Sequence, residues 1–111
     1  MEINPNDAVD FLLKNAGAFS KAKAERIYLE EFRRSKKSLL MQDAEIHGYE
    51  TSASQERQAY AHPEYRQLLE ALKIAVEQEE ALKWKLTAAQ LRVEIWRTTQ
   101  ANNRFIEKST T

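Results

Sequence analysis

The stretch YRQLLEALKIAVEQEEALKWKLTAAQLRVEIWRTTQANN, residues 65–103, decides how this chain folds. Steps alternately three and four residues long pick out Tyr65, Leu68, Leu72, Ala75, Glu79, Leu82, Leu86, Ala89, Val93, Trp96, Gln100 and Asn103. Most of these positions are apolar, so they form a heptad seam over more than five repeats. Neither glycine nor proline interrupts the run. At about 1.5 Å per residue the helix would be roughly 60 Å long. A compact domain of this chain length has a radius of gyration near ~13 Å. The chain alone cannot wrap such a helix.

A second stripe sharpens the point. Ala81, Trp84, Ala88, Leu91 and Ile95 lie on the side opposite the seam. A helix that is apolar on two sides needs neighbours on both. A kink near Glu79 would fold the helix back into a monomeric bundle, but no helix breaker stands there. The fold class expected is therefore all-α: a long helical hairpin that oligomerises through its carboxy-terminal helix. The expected oligomer interface comprises Leu82, Trp84, Leu86, Ala88, Leu91, Val93, Ile95, Trp96, Gln100 and Asn103. Gln100 and Asn103 replace aliphatics on the seam, where amides can fix register and oligomer state.

Upstream of the seam, Pro63 suits the first turn of that helix, expected over about 63–105 with a frayed tail at 106–111. Ser52-Ala53-Ser54-Gln55 matches a capping box ahead of a short helix at about 53–60. Residues 47–52, around His47-Gly48-Tyr49, read as a turn. A long helix at about 20–46 precedes it, with Tyr28, Leu29, Phe32, Leu39, Leu40 and Ile46 on one broad stripe. Asn4-Pro5 caps a short helix at about 5–15, which Gly17 is expected to stop. All of this fits one domain, residues 1–111.

The chain carries 17 basic and 17 acidic side chains and no cysteine. Disulfides and thiol chemistry are thereby excluded. Nothing resembles a signal peptide, and no window has the ~18 consecutive apolar residues of a membrane span. A soluble, cytoplasmic protein without membrane contact is expected. His47 and His62 lack companions for a metal site. Ser35 and Ser38 have no histidine at helical spacing, and no glycine-rich phosphate loop exists. No enzyme activity, catalytic residue, metal or cofactor is expected.

Charge is distributed unevenly along this neutral chain. The segment FRRSKKSLLM, residues 32–41, puts four cations within five positions. Lys23, Arg26, Arg33, Arg34 and Lys37 gather opposite the apolar stripe, with Lys36 at its edge. Arg97 and Arg104 add a second basic region near the carboxy terminus. Such a set can follow a phosphate backbone, releasing counterions. It can equally be a solvated helix face, since Glu30 stands within it to pair with Arg26 or Arg34.

A resemblance bears on that choice. The segment KAKAERIYLEEFRRSKKSLLMQDAEIHG, the capped turn, and SQERQAYAHPEYRQLLEALKIAVEQEEALKWKLTAAQLRVEIWRTTQANNRF succeed one another in the order seen in the UvsY-type recombination mediators of T-even phages. The chain resembles that family in pattern. The resemblance implies an oligomeric, ring-forming, single-stranded-DNA-binding accessory protein of phage recombination and repair, acting in the host cytoplasm. Its partners would be a RecA-like recombinase, which it helps to load, and a single-strand-binding protein. Arg33, Arg34, Lys36 and Lys37 are the nearest match to the family's basic motif, although they depart from its K-x-R arrangement. The competing reading is a helical protein-interaction or assembly module, such as a scaffold or a chaperone-like coiled coil, that leaves DNA alone.

Overall fold

A computed structural model describes residues 3–110, and every element in it is a helix. Helix α1 spans Pro5–Ile46, α2 spans Ser52–Ala61 and α3 spans Pro63–Thr110. No strand occurs among the described residues. Contacts gather into two compact units. The first is Met1–Ser20 with Glu80–Thr111, and the second is Lys21–Glu79.

The ends of the helices follow local chemistry. Asn4 caps α1, its Oδ1 accepting from the Asn6 amide at 2.9 Å, with Pro5 at the first helical position. At the other end the Tyr49 amide donates to the Ala44 carbonyl and the Gly48 amide to the Glu45 carbonyl. That pair of bonds is a Schellman motif, which needs a left-handed residue after the helix. Gly48 supplies it with φ at 102°. The capping box of α2 sits one residue earlier than the sequence pattern suggests. Thr51 is the cap and Ser54 its reciprocal partner, because the Thr51 hydroxyl reaches the Ser54 amide at 3.1 Å. Gln55 instead donates to the Tyr49 carbonyl and closes the turn.

His62 ends one helix and starts the next. Its amide donates to the Ala59 carbonyl, while its Nδ1 accepts from the Glu64 amide at 3.1 Å. Extended backbone at His62 is what Pro63 demands of the residue before it.

The expected stop at Gly17 is not there: one helix replaces the short and long helices anticipated at 5–15 and 20–46. A glycine ends a helix only by turning left-handed, and among the described residues Gly48 alone has positive φ. Inside a helix glycine costs only about 1 kcal/mol, and its neighbours Ala16 and Ala18 favour continuation. Asn15 and Ser20, which often leave helices, return their polar groups to the Phe11 and Ala16 carbonyls.

In the second unit three helices meet. Leu40 of α1, Ala59 of α2 and Tyr65 of α3 form the buried cluster, with Met41 against it. Tyr60 meets Tyr65 edge-on, with ring centroids 5.2 Å apart. The α3 seam continues through Leu68, Ala75 and Glu79, all buried. Opposite it, α1 turns inward Ala22, Arg26, Leu29, Lys36, Leu40 and Ala44. This is half of the stripe anticipated for α1: Leu29, Phe32 and Leu40 are buried or half-buried, whereas Tyr28, Leu39 and Ile46 face solvent. The first unit has only helix segments from α1 and α3. Ala8 and Ala89 are its buried apolar residues, with Leu12, Phe19, Leu82, Leu86 and Val93 half-buried.

The two glycines give opposite expectations for one substitution. A methyl group at Gly17 would meet nothing within 4 Å, so Gly17→Ala should stabilise the chain by about 0.5–1 kcal/mol in urea unfolding. Gly48→Ala should destabilise it by about 1–2 kcal/mol, because a side chain there pays the left-handed penalty.

Candidate functional site

The basic stripe on α1 divides into two groups with different partners. Arg26 lies half-buried at the α1–α3 seam and grips Glu79 through Nε and Nη2, while its Nη1 reaches Glu30 at 3.0 Å. Glu79 first and Glu30 second hold the guanidinium still further above its already high pKa. Lys36 pairs with Glu64 of α3 at 2.8 Å. Lys37 pairs with Glu56 of α2 at 3.0 Å and lies over the Tyr60 ring, 4.8 Å from its centre. Arg26 and Lys37, two of the five cations assigned to an outward face, and Lys36 at the edge of the apolar stripe are thus clasps between helices.

The physical reason is the register. In an antiparallel pair the single charged residue on the α3 seam, Glu79, needs a cation from the facing helix, since an unpaired carboxylate buried there is costly. Position 26 supplies it. Glu79 already stood out in the heptad as its one acidic member, and that was the available signal. It was not sufficient, because pairing it to Arg26 requires knowing where the turn at 47–51 places the two helices.

The remaining cations are free of such duty. Lys23, Arg33 and Arg34 are exposed, and none enters an ion pair among the described residues. Arg97 is exposed and pairs with Glu94 on its own helix at 3.4 Å, and Arg104 is exposed. Arg33 and Arg34 remain adjacent in sequence on α1, whereas Arg97 and Arg104 stand a full heptad apart on α3.

The expected oligomer interface also separates into two. Leu82, Leu86 and Val93 are half-buried within the chain's own packing. Trp84, Leu91 and Ile95 are 65%, 56% and 53% exposed, and Ala88 between them is exposed too. Among the described residues nothing covers this outer face of α3. Trp96, Gln100 and Asn103 continue the seam but lie at the surface. With Ile3, Asn4 and Pro5 they border an open cleft of about 710 Å³. From Glu94 to Thr110 every residue is exposed.

Comparison with known protein families, curated proteins and solved structures finds no match. The site must therefore be judged on its own chemistry.

That chemistry is one of surfaces. Among the described residues no group of three or more His, Asp or Glu side chains is placed to hold a metal. No helix of the described residues is long and apolar enough to cross a membrane. His47 and His62 border a recess of only about 170 Å³ beside Asp43. His62 already spends Nδ1 on capping α3.

The interhelix clasps set the response to pH. Lys36 holds the Glu64 carboxyl, and Lys37 the Glu56 carboxyl, below the ordinary range. A depressed carboxyl contributes stability above its unfolded pKa and loses it as pH falls through the folded value. Tyr60 first and Glu56 second raise the Lys37 amine, whose contribution is full below the ordinary lysine pKa and fades above it. Thermal stability should therefore be flat near neutral pH and decline below about pH 4.5. In Lys36→Ala/Lys37→Ala that acid limb should become shallower. An unchanged slope would show that the pairs carry no linkage. Separately, Arg26→Ala should lower the melting temperature, and Arg26→Leu/Glu79→Leu should recover much of the loss.

Proposed function

We propose that this chain is a helical assembly module that works by associating with further copies of itself. The observation that carries the reading is the apolar surface left open on α3, where Trp84, Leu91 and Ile95 make one line along the helix. Singly exposed apolar residues are ordinary, whereas a contiguous line of large ones marks an interaction surface.

A second reading is kept by one specific feature. Arg33 and Arg34 are adjacent, exposed and without an ion-pair partner among the described residues. Repeated in an oligomer, such a doublet gains from effective concentration. It supports binding of a polyanion such as single-stranded DNA, which an accessory protein of recombination would need. That reading is the weaker one, because Arg26, Lys36 and Lys37 are committed to glutamates of the same chain.

One pair of measurements separates the two. Sedimentation velocity at tens of micromolar should show a species larger than the monomer, and a purely monomeric protein would remove the assembly reading. Fluorescence anisotropy with a labelled single-stranded oligonucleotide should show no strongly salt-dependent binding. Tight binding that weakens steeply with salt and is lost in Arg33→Ala/Arg34→Ala would establish the DNA reading instead.

A further inference from the structure

The buried side chains divide unequally between the two units. Leu40, Ala44, Ala59, Tyr65, Leu68, Ala75 and Glu79 lie within residues 21–79. In the first unit Ala8 and Ala89 are the buried pair among the described residues, each contributing only a methyl group. Three helices surround the Leu40–Ala59–Tyr65 cluster, whereas the first unit has one segment of α1 and one of α3. The ionic clasps follow the same division. Arg26–Glu79, Lys36–Glu64 and Lys37–Glu56 each join two helices inside residues 21–79, and Arg97–Glu94 runs along α3 alone.

The two segments of the first unit differ in what keeps them helical. The α3 segment continues from Glu79, which Arg26 holds, and residues 80–93 are mostly the strong helix formers Ala, Leu, Lys, Gln and Arg. Anchored at one end, this stretch stays helical without a cover. Residues 5–20 of α1 instead contain Asn6, Val9, Asp10, Asn15, Gly17 and Ser20, all weak formers. A helix of about four turns is marginal by itself in water even when rich in alanine. Its helicity therefore rests on packing in the first unit, where Ala8 is buried and Leu12 and Phe19 are half-buried.

The join between this segment and the rest of α1 is locally weak. A methyl group at Gly17 would meet nothing within 4 Å, so no packing holds that turn. Nearby, Asn15 and Ser20 bond back to the Phe11 and Ala16 carbonyls, contacts that loosen a helix slightly. The boundary between the units follows at Ser20. Melting that enters from the start of α1 then meets an ionic clasp at Arg26.

We propose that residues 5–20 are a detachable cover on the α3 seam: they leave and lose their helix as one unit while residues 21–79 stay folded. Detachment uncovers Leu82, Leu86, Ala89 and Val93 on an α3 segment that remains helical. The seam thus alternates between a closed and an open state. Such an opening lies between the fraying of a helix end and the unfolding of the whole chain. It differs from fraying because release depends on packing against α3 as well as on the segment's own helix propensity. The device belongs to a single copy and does not depend on self-association.

Hydrogen exchange read by mass spectrometry on the full chain tests it. Amides of residues 8–20 should exchange at least about tenfold faster than those of residues 29–44 on the same helix. Leu86→Ala, a change on α3, should speed exchange in residues 8–20 by roughly tenfold and leave residues 29–44 and 65–75 as they were. Gly17→Ala should slow exchange in residues 8–20 by roughly two- to fivefold, again without effect on residues 29–44. Equal protection of residues 8–20 and 29–44 in the unaltered chain would overturn the proposal. So would a Leu86→Ala effect of the same size in both units, which is the mark of one cooperative core. If Leu86→Ala leaves residues 8–20 unchanged, the segment frays by itself and is no cover.

Discussion

Arg26 and Glu79 meet across the α1–α3 seam, and that contact constrains much of what surrounds it. Two charges half-removed from water are tolerated only as a pair with good geometry, so the register that joins them is favoured over its neighbours. With position 26 opposite 79, antiparallel helices place position 36 little more than a turn from 64, close enough for the long Lys36 side chain to reach Glu64. The same register sets Leu40 beside Tyr65 in the buried cluster. The ion pair adds little net stability compared with an apolar pair of similar size. Its contribution is to make the wrong alignments worse.

This explains why half of the basic stripe is structural. Helical spacing groups cations on a face but does not say which face is buried. Leu29 and Leu40 are packed while Tyr28 and Leu39, one position earlier in each case, are open. A rotation of one residue, about 100°, converts a presumed DNA-binding surface into the seam. Long basic side chains permit this, since their stems pack while the charged ends reach carboxylates at the edge.

The α3 helix was legible because its seam is made mostly of large aliphatics, whose 3–4 period dominates every other pattern. Its buried positions follow the heptad from Tyr65 to Ala89. The α1 seam was not legible in the same way. Its members Ala22, Arg26 and Lys36 are small or charged, and only partners in three dimensions give them meaning. Gly17 misled for a related reason: glycine is a stop signal only with left-handed backbone, and the alanines beside it make helix continuation cheap. The turn at Gly48 had glycine in the one place where φ must be positive, and there the local signal sufficed. Among the candidate interface residues, Trp84, Leu91 and Ile95, opposite the seam, are exposed, whereas the seam residues Leu82, Leu86 and Val93 are half-buried in the chain's own packing.

The proposed self-association would multiply any weak surface carried by each copy. The exposed Arg33–Arg34 doublet would recur once per subunit, at a spacing set by the repeat of the contact. A polyanion long enough to reach several doublets would then feel their combined charge. A short one would meet only a neutral helical protein with two arginines on its surface.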